Sequence, residues 1–175
     1  MRGTKQDIAI QVTKKTKAGG ISLREIRKLV ETVCCRFNSP KTVVSIVLVG
    51  DAEIRRLNKQ FLNHNCSTDC LSFDLSDNTE ENLFELIINV ERARKEANRR
   101  GHLFRAELAL YIIHALLHNL GFDDSRPEPA EKMHHAEDRI LKQLGYGSVY
   151  NANNSPPSDN QLKRKIKRIR IQKTP

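Results

Sequence analysis

Hydrophobic and polar positions along the chain follow two periods, and the switches between them predict nine elements. Residues 8–12 (I-A-I-Q-V) alternate weakly, as a strand covered on one face does. Ser22 and Glu25 are spaced as a capping box, and Ile26, Leu29, Val30 and Val33 then recur at helical intervals to about Phe37. Asn38-Ser39-Pro40 breaks that helix, and 42–49 is β-branched and apolar, the signature of a buried strand. Asp51 is expected to cap a short helix reaching about Leu62. A polar loop leads to a third strand over 68–75, and a polar turn to a fourth over 83–90, which runs into the charged helix E-R-A-R-K-E-A-N-R-R. An apolar helix over about 105–120 and a last helix over 128–144, ended by Gly145, complete the order βαβαββααα. The expected class is α+β: a four-stranded mixed sheet packed against helices, with the apolar helix central.

That central run carries the candidate chemistry. Residues 107–124 read E-L-A-L-Y-I-I-H-A-L-L-H-N-L-G-F-D-D. His114 and His118 are four apart, a rotation of roughly 400° on a helix, so their rings leave neighbouring turns on the same side. Gly121 allows a left-handed helix end and a sharp return, which would bring Asp124 toward both rings. Two imidazoles and a carboxylate, with one position open, form the donor set of a catalytic zinc site. Zincin peptidases share the H-x-x-x-H spacing but carry a glutamate after the first histidine. Here that position is Ala115, which argues against a peptidase. The run is shorter than the roughly 20 apolar residues of a membrane span.

Charge adds a partner. The chain of 175 residues has 30 Lys+Arg against 21 Asp+Glu, a formal net charge of +9. Residues 1–20 hold five basic and one acidic residue and 151–175 hold seven and one, leaving 18 and 19 in a nearly neutral body. Basic ends on a neutral body fit a polyanion, nucleic acid ahead of a membrane. The N-P-S-rich stretch after Tyr150 divides the chain into a domain over 1–150 and an expected disordered basic tail over 151–175. Seven cations lie in 163–173. Lys163, Arg164, Lys165, Lys167, Arg168 and Arg170 are the expected RNA-contacting set, with affinity for phosphate and no base preference. The interleaved Ile166, Ile169 and Ile171 are expected to pack on a ribosomal protein or to order on binding. Cys34, Cys35, Cys66 and Cys70 read as small buried thiols of a reducing compartment, and the N-terminus lacks the apolar stretch of a signal peptide.

Five motifs in order resemble the YbeY family of rRNA-maturation endoribonucleases over about residues 8–150. They are D-A-E-I-R-R-L-N-K-Q-F, T-D-C-L-S-F, L-I-I-N-V-E-R-A, H-A-L-L-H-N-L-G-F-D-D, and the last helix with Met133, Glu137, Ile140 and Leu141. The resemblance implies a cytoplasmic, metal-dependent enzyme. It would cut single-stranded RNA, mature the 3′ end of small-subunit rRNA and take part in ribosome quality control, with the ribosome or ribosomal proteins as partners and no membrane. It implies zinc held by three histidines, of which two carry over as His114 and His118. The third falls on Asp124, a harder ligand that raises tolerance for manganese or magnesium. His114 is also the expected catalytic residue.

Two further departures bear on activity. The family's catalytic arginine after the short helix is replaced by Leu62, with His64, Arg55 and Arg56 nearby as substitutes, and a family glycine is replaced by Phe84, on an expected cleft wall. A weakly cleaving RNA-binding or ribosome-assembly factor of the same fold is therefore the second reading. Of the remaining candidates, His134 and His135 are expected to face solvent and His102 to sit in a loop. Asp69 and Asp74 are expected at a turn or surface, and Arg92, Arg94, Lys95, Arg99 and Arg100 on a solvated face.

Overall fold

A computed structural model of the chain describes residues 7–17, 19–39, 41–77 and 80–150, and the backbone of 169–170. The nine elements occur in the expected order: β1 Asp7–Lys14, α1 Leu23–Arg36, β2 Lys41–Val49, α2 Asp51–Leu62, β3 Cys70–Asp74, β4 Asn82–Asn89, α3 Val90–Arg100, α4 Phe104–Asn119 and α5 Pro127–Gln143. A two-residue strand, β5 Ile169–Arg170, follows. The sheet order is β1-β2-β4-β3-β5. β1, β2 and β4 run parallel, β3 pairs antiparallel with β4, and β5 lies parallel to β3.

Local signals set most boundaries. Ser22 caps α1 in a full capping box, its hydroxyl accepting from Glu25 N–H while Glu25 accepts from Ser22 N–H. The cap of α2 is a correction. Gly50 holds the N-cap position, and Asp51 is the first helical residue. Its N–H donates to the Glu91 carboxylate at 3.0 Å. Its own carboxylate is taken up by Ser67, Asn89 and Lys95.

The sheet has a thick side and a thin side. Val44, Ile46 and Leu48 of β2 and Phe84, Leu86 and Ile88 of β4 face the main core with α1 and α4. The other face meets only a small cluster, in which Val49, Ile54, Leu71, Phe73 and Ile87 pack with Leu57 and Leu62 of α2. The strand expected to be buried throughout, β2, is therefore buried on one face and half-covered on the other. Phe84 is 2% exposed inside the main core and forms no cleft wall.

Helix α4 is the keystone. Every residue from Ala106 to Asn119 is buried, and the helix packs against α1, α3, α5, β3 and β4. A helix apolar on all sides is stable only when enclosed on all sides. Its buried Glu107 is matched by His102 at 2.6 Å and Arg100 at 3.6 Å, which accounts for both residues structurally. No helix of the described residues is long and apolar enough to cross a membrane.

The chain after α5 is fastened at its end. Asp138 accepts from Ser148 Oγ and from the N–H groups of Val149 and Tyr150, and the His134 ring stacks on Tyr150 at 4.1 Å. Beyond Tyr150, Lys163, Arg164, Lys165, Lys167 and Arg168 lie outside the described residues, as does the expected disorder of 151–168 and 171–175. Arg170 is described only by its backbone, in β5. All four cysteines are free, as expected, but burial holds only for Cys34 and Cys70; Cys35 and Cys66 are exposed. Cys35 follows Cys34 on α1 and so turns off the buried stripe.

Candidate metal centre

Two rings on one helix are brought together by the geometry of that helix. His114 and His118 lie edge to face, 89° apart, with centroids 4.7 Å apart and Nε2 atoms 3.3 Å apart. The helix then ends at Leu120, and Gly121, at φ +95°, turns the chain back with Phe122 N–H bonded to Leu117 O. This turn brings Asp124 to the rings, with Oδ2 at 3.8 Å from His114 Nε2 and Oδ1 at 3.7 Å from His118 Nε2. One donor atom from each of the three residues falls within 4.8 Å of the others, so the group could hold a metal ion. Donors about 2.0–2.1 Å from a tetrahedral ion stand roughly 3.3 Å apart, close to the spacing found here.

The Nδ1 atoms fix what the Nε2 atoms offer. His118 Nδ1 faces Phe122 O at 3.2 Å. A carbonyl only accepts, so Nδ1 carries the proton and Nε2 a lone pair. His114 Nδ1 faces Glu137 Oε1 at 2.5 Å and is held the same way. The two Nε2 atoms then face each other across 3.3 Å, an arrangement completed by a proton or by a cation between them. The buried charge says the same. Glu137 is fully buried, its Oε2 without a hydrogen bond among the described residues, and Asp124 is 13% exposed beside it. A histidine oriented through Nδ1 by a carboxylate is the usual outer support of a metal ligand. The residues present therefore fit a divalent cation.

Charges around the rings split their affinities for protons. Burial lowers His114, but the charge and hydrogen bond of Glu137, with Asp69 and Asp124 behind it, raise it above the ordinary imidazole value. Burial, and then the charge of His114, push His118 down to about 4. Burial pushes Asp124 up to about 6; His114 opposes the rise and Asp69 adds to it.

Asp69 is a site neighbour that sequence reasoning placed elsewhere. It is buried, not at the surface, and its charge reaches all three candidate ligands. Its Oδ1 accepts from Thr68 Oγ1 and Cys70 N–H, and its carbonyl accepts from Asn89 N–H. The T-D-C-L-S-F strand was the signal, read for family and not for placement. Asp74 is also buried, its Oδ1 accepting from Ser76 N–H. Glu137 appeared among the motif residues of the last helix without a role. The structure gives it one, as the partner of His114. Asn119, next to His118, reaches Phe73 O of β3 at 3.5 Å and ties the ring-bearing helix to that strand.

Other candidates lie apart from the triad. His135 is exposed beside Glu131, and His134 is half-buried under Tyr150. Leu62 packs in the thin-side cluster. Arg56 is engaged by Glu53, Arg55 by Asn65, and His64 is exposed. On α3, Lys95 and Arg99 are exposed, Arg92 donates to Ser67 O, Arg94 lies over the Phe104 ring, and Arg100 is drawn inward to Glu107.

The endoribonuclease YbeY family model matches residues 11–145. The chain belongs to that family. Among its relatives, an endoribonuclease YbeY of Geobacter sulfurreducens is 31% identical over 147 residues, covering 80% of this chain and 98% of that protein. Another, of Desulfitobacterium hafniense, is 37% identical over 117 residues, covering 61% and 74%. A solution structure of a Thermotoga maritima protein shares the fold at a TM-score of 0.53 and 23% identity, covering 86% of this chain and 97% of that one.

Proposed function

We infer that this chain is a metal-dependent endoribonuclease of the cytoplasm that cuts single-stranded RNA, acting on the 3′ end of small-subunit rRNA and in ribosome quality control. The facing Nε2 atoms of His114 and His118, 3.3 Å apart with both Nδ1 positions already committed, carry this reading. A divalent ion there, zinc or, given Asp124, manganese, would supply positive charge to activate a water or ribose hydroxyl and to offset charge on the phosphate. His114, His118 and Asp124 would hold it, with His114 indispensable to the chemistry. Glu137 keeps the proton on His114 Nδ1, and Phe122 O keeps the one on His118 Nδ1, so both rings present Nε2 to the cation. The domain over 1–150 would carry the chemistry, and Lys163, Arg164, Lys165, Lys167, Arg168 and Arg170 would hold RNA phosphates near the cleft.

One observation favours a second reading, an RNA-binding assembly factor that cleaves weakly. Leu62 packs in an apolar cluster, while Arg55 and Arg56 are occupied by Asn65 and Glu53. No free guanidinium stands in for the family arginine among the described residues of that helix. The deciding experiment is cleavage of a single-stranded rRNA 3′ segment by metal-loaded protein beside His114→Ala. Metal-dependent cutting lost in the variant supports the enzyme. RNA binding without cutting in either protein supports the assembly factor.

A further inference from the structure

Four large apolar side chains are exposed among the described residues: Leu23, Phe61, Leu83 and Leu103. Phe61 is the aromatic one, 45% exposed in the last turn of α2. Its ring has a fixed support. It meets Phe73 of β3 edge to face, with centroids 5.5 Å apart and planes at 66°. The fold thus orients the ring while leaving nearly half of the side chain in water. The exposed residues that follow it are polar. Asn63, at φ +57°, ends α2 and opens a loop in which Asn63, His64 and Asn65 are all exposed. Arg55 donates to Asn65 at 3.0 Å and forms no ion pair among the described residues. Residues 54–68 hold three basic side chains and no acid.

An exposed, oriented aromatic ring beside amides and cations has the chemistry that an unpaired nucleobase needs. The base stacks on the ring, the amides reach its edge, and the cations meet the backbone. The placement suits a strand that continues to the metal centre. The loop after α2 leads to Asp69, whose charge reaches all three candidate ligands. Phe73, which supports the ring, accepts through its carbonyl from Asn119, the residue after His118. We propose that Phe61 is the stacking platform for one unpaired base of a single-stranded RNA whose backbone passes the His114, His118 and Asp124 group. It supplies a contact with bases, which phosphate-binding lysines and arginines do not. The proposal rests on RNA being the substrate.

Fluorescence anisotropy of the full chain with a labelled oligouridylate, beside an abasic strand of the same length and charge, tests it. The wild type is expected to bind the oligouridylate about tenfold more tightly than the abasic strand. Phe61→Leu keeps an apolar contact with Phe73 and removes the ring. It should erase most of that difference by weakening the oligouridylate alone, with the salt dependence unchanged because no phosphate contact is lost. The sequence has no tryptophan, so Phe61→Trp puts a single indole at the platform. Its binding should match or exceed the wild type, and its emission should be quenched by the oligouridylate and not by the abasic strand. Equal wild-type affinity for the two strands overturns the stacking. A difference kept in full by Phe61→Leu, or an indole that the oligouridylate leaves unquenched, overturns Phe61 as the platform while RNA binding stands. Binding of neither strand by the wild type overturns the RNA reading and this proposal with it.

Discussion

Asp51 and Asp124 are both partly buried aspartates, 30% and 13% exposed at the side chain, and their surroundings push them in opposite directions. Burial raises both. At Asp51 the hydrogen bonds of Lys95, Asn89 and Ser67 and the charge of Lys95 more than cancel that and bring the carboxyl down to about 2. At Asp124 burial dominates and Asp69 reinforces it, bringing the carboxyl up to about 6. The first acid has its cation in the protein. The second has only His114, whose charge lowers it by less than burial raises it. The Asp51 cluster is completed by the chain's own lysine, whereas the group of His114, His118 and Asp124 could hold a metal ion.

The sharpest way to break this contrast is to remove a ligand. His114→Ala should lower metal content and single-strand cleavage by more than about 100-fold, above the 10- to 100-fold typical of outer-shell partners. Metal analysis and a cleavage assay check both. Proton competition comes next. Below the raised value of His114 one proton must leave for metal to enter, and below about 6 that of Asp124 must leave as well. Metal affinity should therefore fall with pH, about tenfold per unit at first and more steeply below 6, in titrations between pH 8 and 5. Glu137→Gln should cost roughly 10- to 100-fold in metal affinity with the fold intact, by calorimetric titration beside circular dichroism.

The smallest effect belongs to the closed cluster. Asp51 is depressed in the fold, so its stabilisation is present above its unfolded value near 4 and is lost as pH falls toward 2. With solvent screening, Asp51→Asn should cost about 1–2 kcal/mol at pH 7 and much less at pH 2, read by chemical denaturation. An equal cost at both values would mean packing and not charge.

Where local pattern suffices, the fold was legible. The Ser22–Glu25 box, the β-branched run of β2 and the apolar α4 each state their structure within a few residues. So did the triad, because i, i+4 spacing and a helix-ending glycine are local facts. What stayed hidden depends on distance along the chain. Asp51 reads as a helix cap until Lys95, 44 residues away, claims its carboxylate. Asp69 and Glu137 read as ordinary polar residues, since nothing local says which acids fold inward. Cys35 and Cys66 read as core thiols because small apolar residues usually are, but helix phase and a polar loop put them outside.

The enclosure of α4 has a kinetic consequence. A ligand set carried on loops can loosen and release its ion while the body stays folded. Here two of the three candidate ligands ride on a helix with no solvent-facing side and only Asp124 lies on the turn beyond it, so the rings have little room to breathe. Exchange of the ion should be slow at ambient temperature, and on heating it should leave in the same cooperative step in which the interior comes apart.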